Sequence, residues 1–241
     1  LGICASIMHK YGVDTVPHVL CGGFSKEETE YLLVDCLYLG IDNVVALRGD
    51  AMKGQNHFVP TEGGHHFAID LVKHINDIGR GKYLTDEKRC DEDNKFCIGV
   101  AGSPEKHIEA PSMKYDLQKL KEKVEAGADY IVTQMFFDNK KYFRFVEEAR
   151  KMGIDVPIIP GIKPMATKGH LSMLPKTFKI DLPEDLIKEV EEAKDNASVK
   201  QIGIEWAINQ CKELLDFGVP VLHFYSMGKS DNIKKVAKEL F

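Results

Sequence analysis

Leu39-Gly40-Ile41-Asp42-Asn43-Val44-Val45-Ala46-Leu47-Arg48-Gly49-Asp50 carries one complete structural unit in a single run. Gly40 closes a helical stripe, and glycine is the residue that accepts the left-handed conformation just past a helix. Val44 to Leu47 then shows no polar alternation, the mark of a strand covered on both sides in a parallel sheet. Arg48-Gly49-Asp50 ends the run with two charges.

The same order of helix end, glycine and β-branched run recurs along the chain. Copies begin at Tyr11-Gly12-Val13, Ala126-Gly127-Ala128, Met152-Gly153-Ile154 and Phe217-Gly218-Val219. Phe96-Cys97-Ile98-Gly99-Val100-Ala101 lacks the glycine but has the same apolar character. Between the runs lie helices with readable starts: Ser25-Lys26-Glu27-Glu28 is a capping box ahead of Leu32, Leu33, Cys36 and Leu37. Leu117, Leu120 and Val124 repeat the stripe before Gly127, and Pro183 to Asp216 reads as helical. Tyr83 to Lys95 is charged and reads as an exposed excursion. Alternating strands and helices predict a parallel α/β sheet wrapped by helices, a (βα)8 barrel represented by six of its eight units and forming one domain over residues 1–241. A doubly wound sheet is the rival, and no G-x-G-x-x-G follows a strand to support it.

Composition narrows the function. At 241 residues and 44% apolar content the chain can bury one large core. With 32 basic against 37 acidic residues, a net −5, it has no general attraction for nucleic acid or anionic lipid. No apolar run approaches the roughly 20 residues of a bilayer span. The 6 cysteines are scattered without a CxxC pair, which fits reduced thiols in a cytoplasm and no zinc site. The chain begins with Leu, and Ile3 to Tyr11 reads as the end of an amphipathic helix, so a preceding segment is expected.

Barrel chemistry sits at the C-terminal strand ends, and here those ends are polar. The first strand is expected over Val13 to Val16, running into Pro17-His18. The second ends in Arg48-Gly49-Asp50, and the third in Ala101-Gly102-Ser103-Pro104-Glu105-Lys106-His107. The fourth ends in Thr133-Gln134 and the fifth in Gly161-Ile162-Lys163-Pro164. The last, expected over Val219 to Leu222, ends in His223-Phe224-Tyr225. An acid after a strand can simply cap a turn, yet Asp50 stands where a barrel places its active site. Gln134 inside an apolar strand must satisfy its amide, and a ligand edge does so. His18 reads equally as a core imidazole or a ligand contact. Adjacent His65 and His66 point in different directions, which argues against a shared metal. Lys123 lies among Lys119 and Lys121 on an otherwise solvated face, and Tyr142, Phe143 and Phe145 at helical spacing read as core.

Taken together, Pro17-His18, Ala46-Leu47-Arg48-Gly49-Asp50, Pro104-Glu105-Lys106-His107, the helix Leu120 to Ala128, Thr133-Gln134-Met135-Phe136-Phe137, Ile159-Pro160-Gly161-Ile162 and His223-Phe224-Tyr225 resemble methylenetetrahydrofolate reductases, in order and over nearly the whole chain. The resemblance implies an FAD-containing barrel that passes hydride from NADH or NADPH through flavin to 5,10-methylenetetrahydrofolate in a ping-pong cycle. It implies flavin contacts at His18, Arg48, Gly49, Asp50, Ala68, Ala101, His107, Asp116 and Lys123. Gln134 and Tyr225 match positions that meet folate or nicotinamide, while His170 and Leu174 fall in the substrate-facing helix. Lys229 stands where an arginine is frequent, and Phe67 and Ser103 where tyrosines are. Asp50 is the expected catalytic carboxylate, stabilising the cationic iminium of the opened folate. A cytoplasmic homo-oligomer without metal is expected.

The resemblance also implies two earlier strands, one carrying a glutamate that protonates folate and one a flavin-contacting threonine. Without them the chain is expected to be poorly stable and inactive by itself. Alternatives are a non-catalytic FAD-binding fragment or subunit completed by a partner chain, or another barrel enzyme such as a phosphate-handling lyase or a proline dehydrogenase.

Overall fold

The computed structural model describes residues 1–51, 54–55, 57–85 and 95–241. In chain order the elements are α1 (Gly2–Tyr11), β1 (His18–Leu20), α2 (Lys26–Tyr38), β2 (Asn43–Leu47), α3 (Ala68–Gly79) and β3 (Cys97–Gly102), followed by α4 (Met113–Glu125), β4 (Tyr130–Met135), α5 (Asn139–Lys151) and β5 (Ile158–Ile162). Three helices come next, α6 (His170–Phe178), α7 (Glu184–Glu192) and α8 (Asn196–Asp216), before β6 (His223–Phe224) and α9 (Asp231–Leu240). The strands form one 6-stranded sheet in sequence order, β1-β2-β3-β4-β5-β6. Pairs β1–β2, β2–β3 and β5–β6 run parallel. This is the α/β order of consecutive βα units of a (βα)8-type barrel, as the glycine-punctuated pattern predicts. Much of the charged run 83–95 lies outside the described residues.

Local chemistry explains the elements. Ser25 and Glu28 make the reciprocal cap expected of them, with Glu28 N–H on Ser25 Oγ at 3.2 Å and Ser25 N–H on the Glu28 carboxylate at 2.8 Å. Gly40, Gly127, Gly153 and Gly218 all have positive φ at the turn into the next strand region. Gly127 also has no room for a side chain: a Cβ there would meet Asn76 Nδ2 at 2.1 Å, and that amide bonds the Ala126 carbonyl.

Two strands lie later in the chain than the apolar pattern predicts. β1 is His18–Leu20 and not Val13 to Val16, and β6 is His223–Phe224 and not Val219 to Leu222. A proline bounds or interrupts each apolar run: lacking an N–H, it cannot donate to a ladder, and in sheets it is kept to edge strands, strand starts and bulges. The β1 ladder opens where the Pro17 carbonyl accepts the Val45 N–H at 3.0 Å, and Pro220 interrupts the run ahead of β6.

The chain forms two compact units, Leu1–Ala101 with Leu120–Ile131, and Gly102–Lys119 with Val132–Phe241. The first packs Val44, Ala46, Ile98 and Val100 of the sheet with Leu33 and Cys36 of α2 and Leu71, Val72 and Ile75 of α3, all fully buried. In the second, Met135, Phe137, Met165, Leu174, Leu186, Val190 and Val199 form one apolar cluster. Tyr142 and Phe145 are 2% exposed, and Tyr142 stacks on Phe136 with centroids 5.2 Å apart, so both are core as expected, whereas Phe143 is only partly buried, packed against exposed Phe217 with centroids 4.3 Å apart.

Candidate active site

In the first unit, Arg48, Gly49 and Asp50 follow β2 directly. Gly49 adopts φ 90°, a backbone open to glycine and costly for other residues, so the chain can turn sharply between the two charged side chains. The Arg48 guanidinium lies over the Phe58 ring, 5.3 Å from its centroid. Asp50 is exposed. Lys123, near the end of α4, donates from Nζ to the Ala101 carbonyl at 2.7 Å. It therefore leaves the solvated stripe suggested by its lysine neighbours and reaches the end of β3. Ala68 is the first residue of α3, whose start is held by a Phe67 N–H bond to Asp70 at 3.2 Å.

His18 falls elsewhere. Register pairs His18 with Val45 and Leu20 with Leu47, so His18 opens β1 and does not end it. β1 ends at Leu20, and Cys21 just past it donates its N–H to Leu47 O at 3.0 Å; burial pushes its thiol up to about 12 and leaves it inert at neutral pH.

In the second unit, Asp116 sits in the first turn of α4 and accepts the His107 N–H at 2.7 Å. His107 Nδ1 accepts the Glu109 N–H at 3.2 Å, which leaves Nε2 as the protonated nitrogen of the neutral ring. Before it, Lys106 holds φ 81° and ties its ammonium to the carbonyls of His107 and Ala110. The loop is thus fixed from both sides.

Thr133, which sequence reasoning passed over, organises the ends of β4, β5 and β6. Fully buried, it accepts the Gly161 N–H on Oγ1 at 2.9 Å, and its carbonyl accepts the Tyr225 phenol at 2.8 Å. A Cβ on Gly161 would lie 2.3 Å from that carbonyl and 2.6 Å from Tyr225 Cε2, so glycine alone permits this approach. Burial pushes the Tyr225 phenol up to about 12, so it remains a proton donor locked onto Thr133. Its ring stands edge-on to His223 at 4.8 Å. Gln134 follows Thr133; its Oε1 accepts the Met135 N–H at 3.0 Å, and its Nε2 makes no hydrogen bond to a described residue. His170 opens α6, Leu174 is buried in the apolar cluster, and Lys229 is exposed in the turn after β6.

One cluster was illegible in the sequence. His65 is 3% and His74 8% exposed, and their rings share a hydrogen bond of 2.9 Å, with Glu30 3.6 Å beyond. The neighbouring His66 is exposed, so the two adjacent histidines do diverge. Among the described residues no group of three or more His, Cys, Asp or Glu is placed to hold a metal, and no helix is long and apolar enough to cross a membrane.

Fold and site define a parallel βα protein with polar side chains at or just after its strands, Arg48 and Asp50 in the first unit, and Gln134 and Tyr225 in the second. The chain belongs to the methylenetetrahydrofolate reductase family, whose model matches residues 1–241. It is 40% identical over 238 residues to methylenetetrahydrofolate reductase (NADH) 1 of Arabidopsis thaliana, covering 94% of this chain and 38% of that one. It is 32% identical to the 5,10-methylenetetrahydrofolate reductase of Pectobacterium carotovorum, covering 95% of this chain and 70% of that one. The chain thus spans under half the length of the plant relative. In fold it is similar to an uncharacterised Clostridium thermocellum protein that binds two copies of 5-methyl-5,6,7,8-tetrahydrofolic acid, with TM-score 0.57, 15% identity and coverage of 97% of this chain and 76% of that one.

Proposed function

We propose that the protein containing this chain reduces 5,10-methylenetetrahydrofolate to 5-methyltetrahydrofolate, using hydride from NADH or NADPH relayed by bound FAD. The observation that carries the reading is Asp50, a carboxylate delivered by Arg48-Gly49 at the end of a buried strand. Membership of the reductase family supports the substrate class.

The residues present fit a flavin dinucleotide. Gly49 presents backbone without a Cβ at φ 90°, and the nearest atom a Cβ would meet is Phe58 Cε2 at 4.0 Å. Arg48 and Lys123 supply positive charge, His107 an Nε2–H donor, and Ala68 and Asp116 stand in the first turns of α3 and α4. The chemistry the flavin supplies is storage of a hydride between two half-reactions. His18 remains a proposed contact even though it opens its strand.

Asp50 holds a fixed negative charge for the cationic iminium that the folate must form before it accepts hydride. Gln134 offers to the pterin edge its Nε2–H2, which bonds no described residue. Tyr225 gives a ring face and not a proton, because its hydroxyl is committed to Thr133. His170, Leu174 and Lys229 complete the proposed substrate contacts. Free thiols at all described cysteines suit a cytoplasmic setting, and a homo-oligomer is the proposed assembly.

Asp50→Asn in the full-length protein tests this by stopped flow. We expect the folate half-reaction to slow by about 10²-fold, the size of a lost electrostatic contact to a developing charge. The nicotinamide half-reaction should change far less. An unchanged folate half-reaction removes Asp50 from the mechanism. A full-length protein without flavin absorbance would instead favour a phosphate-handling lyase.

A further inference from the structure

Lys163 is the residue immediately after β5, and its place is tightly set. Gly161 pairs with His223 and Ile162 with Phe224, and the Tyr225 N–H bonds Ile162 O at 2.9 Å. Lys163 therefore comes level with Tyr225, two residues beyond the point where Gly161 lets β5 close onto Thr133. Pro164 follows it and holds Lys163 in extended backbone, so the position cannot relax into a helix.

The side chain is half-buried, yet it makes no hydrogen bond or ion pair with any described residue. Other partly buried lysines of the same unit behave differently. Lys141 pairs with Glu105 and Asp181, and Lys106 bonds two carbonyls. Burial holds the Lys163 ammonium below its ordinary range. The basic group that does feel it is His170, held down first by burial and then by the Lys163 charge. His170 Nδ1 accepts the Ala166 N–H at 3.3 Å, so Nε2 is left to carry the proton and donate.

Ala166, whose N–H reaches that ring, lies three residues after Lys163 on the same segment. An ammonium that has given up part of its water with no counter-ion among the described residues, on a segment that also holds an imidazole, is a receptor for an anion that arrives with the substrate. We propose that Lys163 and His170 form an oxyanion subsite at the C-terminal end of β5, taking a carboxylate of the folate's glutamyl tail or a phosphate of the nicotinamide dinucleotide. The proposal rests on the folate-reducing reading and deepens it.

The test uses full-length protein with Lys163→Met and Lys163→Arg, and reads equilibrium binding by calorimetry. Lys163→Met should weaken tetrahydrofolate about tenfold, roughly the worth of one charge-assisted contact, while tetrahydropteroate, which lacks the glutamate, binds as before. Loss confined to NADH and NADPH would assign the subsite to phosphate. Lys163→Arg should retain most of either affinity. Equal loss of tetrahydrofolate and tetrahydropteroate, or no loss for any ligand, overturns the proposal. A second measurement is independent of folate: acetylation of Lys163, followed by mass spectrometry, should be slowed by glutarate or inorganic phosphate and not by chloride at equal ionic strength. Protection in a protein that binds neither folate nor dinucleotide leaves the subsite standing and removes the reductase reading. Failure of both anions to protect sinks the subsite.

Discussion

Single side chains at the strand ends have little latitude. Gly161 meets two walls, the Thr133 carbonyl and the Tyr225 ring, and backbone cannot move aside as a flexible side chain can. Gly161→Ala should destabilise by about 3 kcal/mol, the upper range for overpacking, read as a lower urea midpoint at unchanged slope. Glu105 presents the opposite case, a charge already buried. Its carboxyl is 8% exposed and is held by Lys141 at 2.5 Å and the Asp181 N–H at 3.0 Å, and burial nonetheless pushes its pKa up. Lys141→Met removes the cation and leaves the acid. We expect a loss of about 2 kcal/mol, discounted because Lys141 is partly exposed, and partial recovery when Glu105→Gln is added. A double mutant as unstable as the sum of both singles would show that the pair is not coupled.

Helices α2 and α3 are joined by chemistry that propensity alone does not supply. The Ser25–Glu28 cap at the start of α2 satisfies two free backbone groups, and Ser25→Ala should cost about 1 kcal/mol in guanidinium unfolding. Between the helices, Glu30 faces His74, which in turn bonds His65; Lys26, Asp70 and Asp77 are the other charges acting on the pair. Burial, then the neighbouring ring, lowers the His65 pKa from 6.5 to about 4. The sign follows directly. Below 6.5 the unfolded chain takes up a proton that the folded imidazole refuses, so stability falls as pH drops from 6.5 towards 4 and levels off beneath it. Unfolding midpoints from pH 8 to pH 4 should show that decline, and His65→Leu should flatten it. A variant with the same slope would place the titration elsewhere.

Across the sheet, β1 and β6 each have a hydrogen-bonded neighbour on one side only among the described residues. Unpaired ladder groups are templates for further pairing, and β1 ends on exposed Leu20 and follows exposed Val16. This chain expressed alone should therefore self-associate, with a mass by light scattering that rises with concentration; a constant monomer mass would show that its edges are protected.

Much of this order was legible in the residues. Glycine after each helix, apolar runs without alternation and the Ser25 box are local features, encoded within a few residues of where they act, and they delivered the βα order and the placement of Arg48, Asp50 and Gln134 near strand ends. The strand starts near Pro17 and Pro220 were misread, since the apolar pattern reports burial and not hydrogen bonding. The contacts between residues distant in the chain were not legible at all. His65 meeting His74, Lys123 reaching Ala101, and Thr133 binding both Gly161 and Tyr225 depend on the packing of separate elements. So does the half-buried charge of Lys163, which meets no ion-pair or hydrogen-bond partner among the described residues, because that follows from everything folded around it.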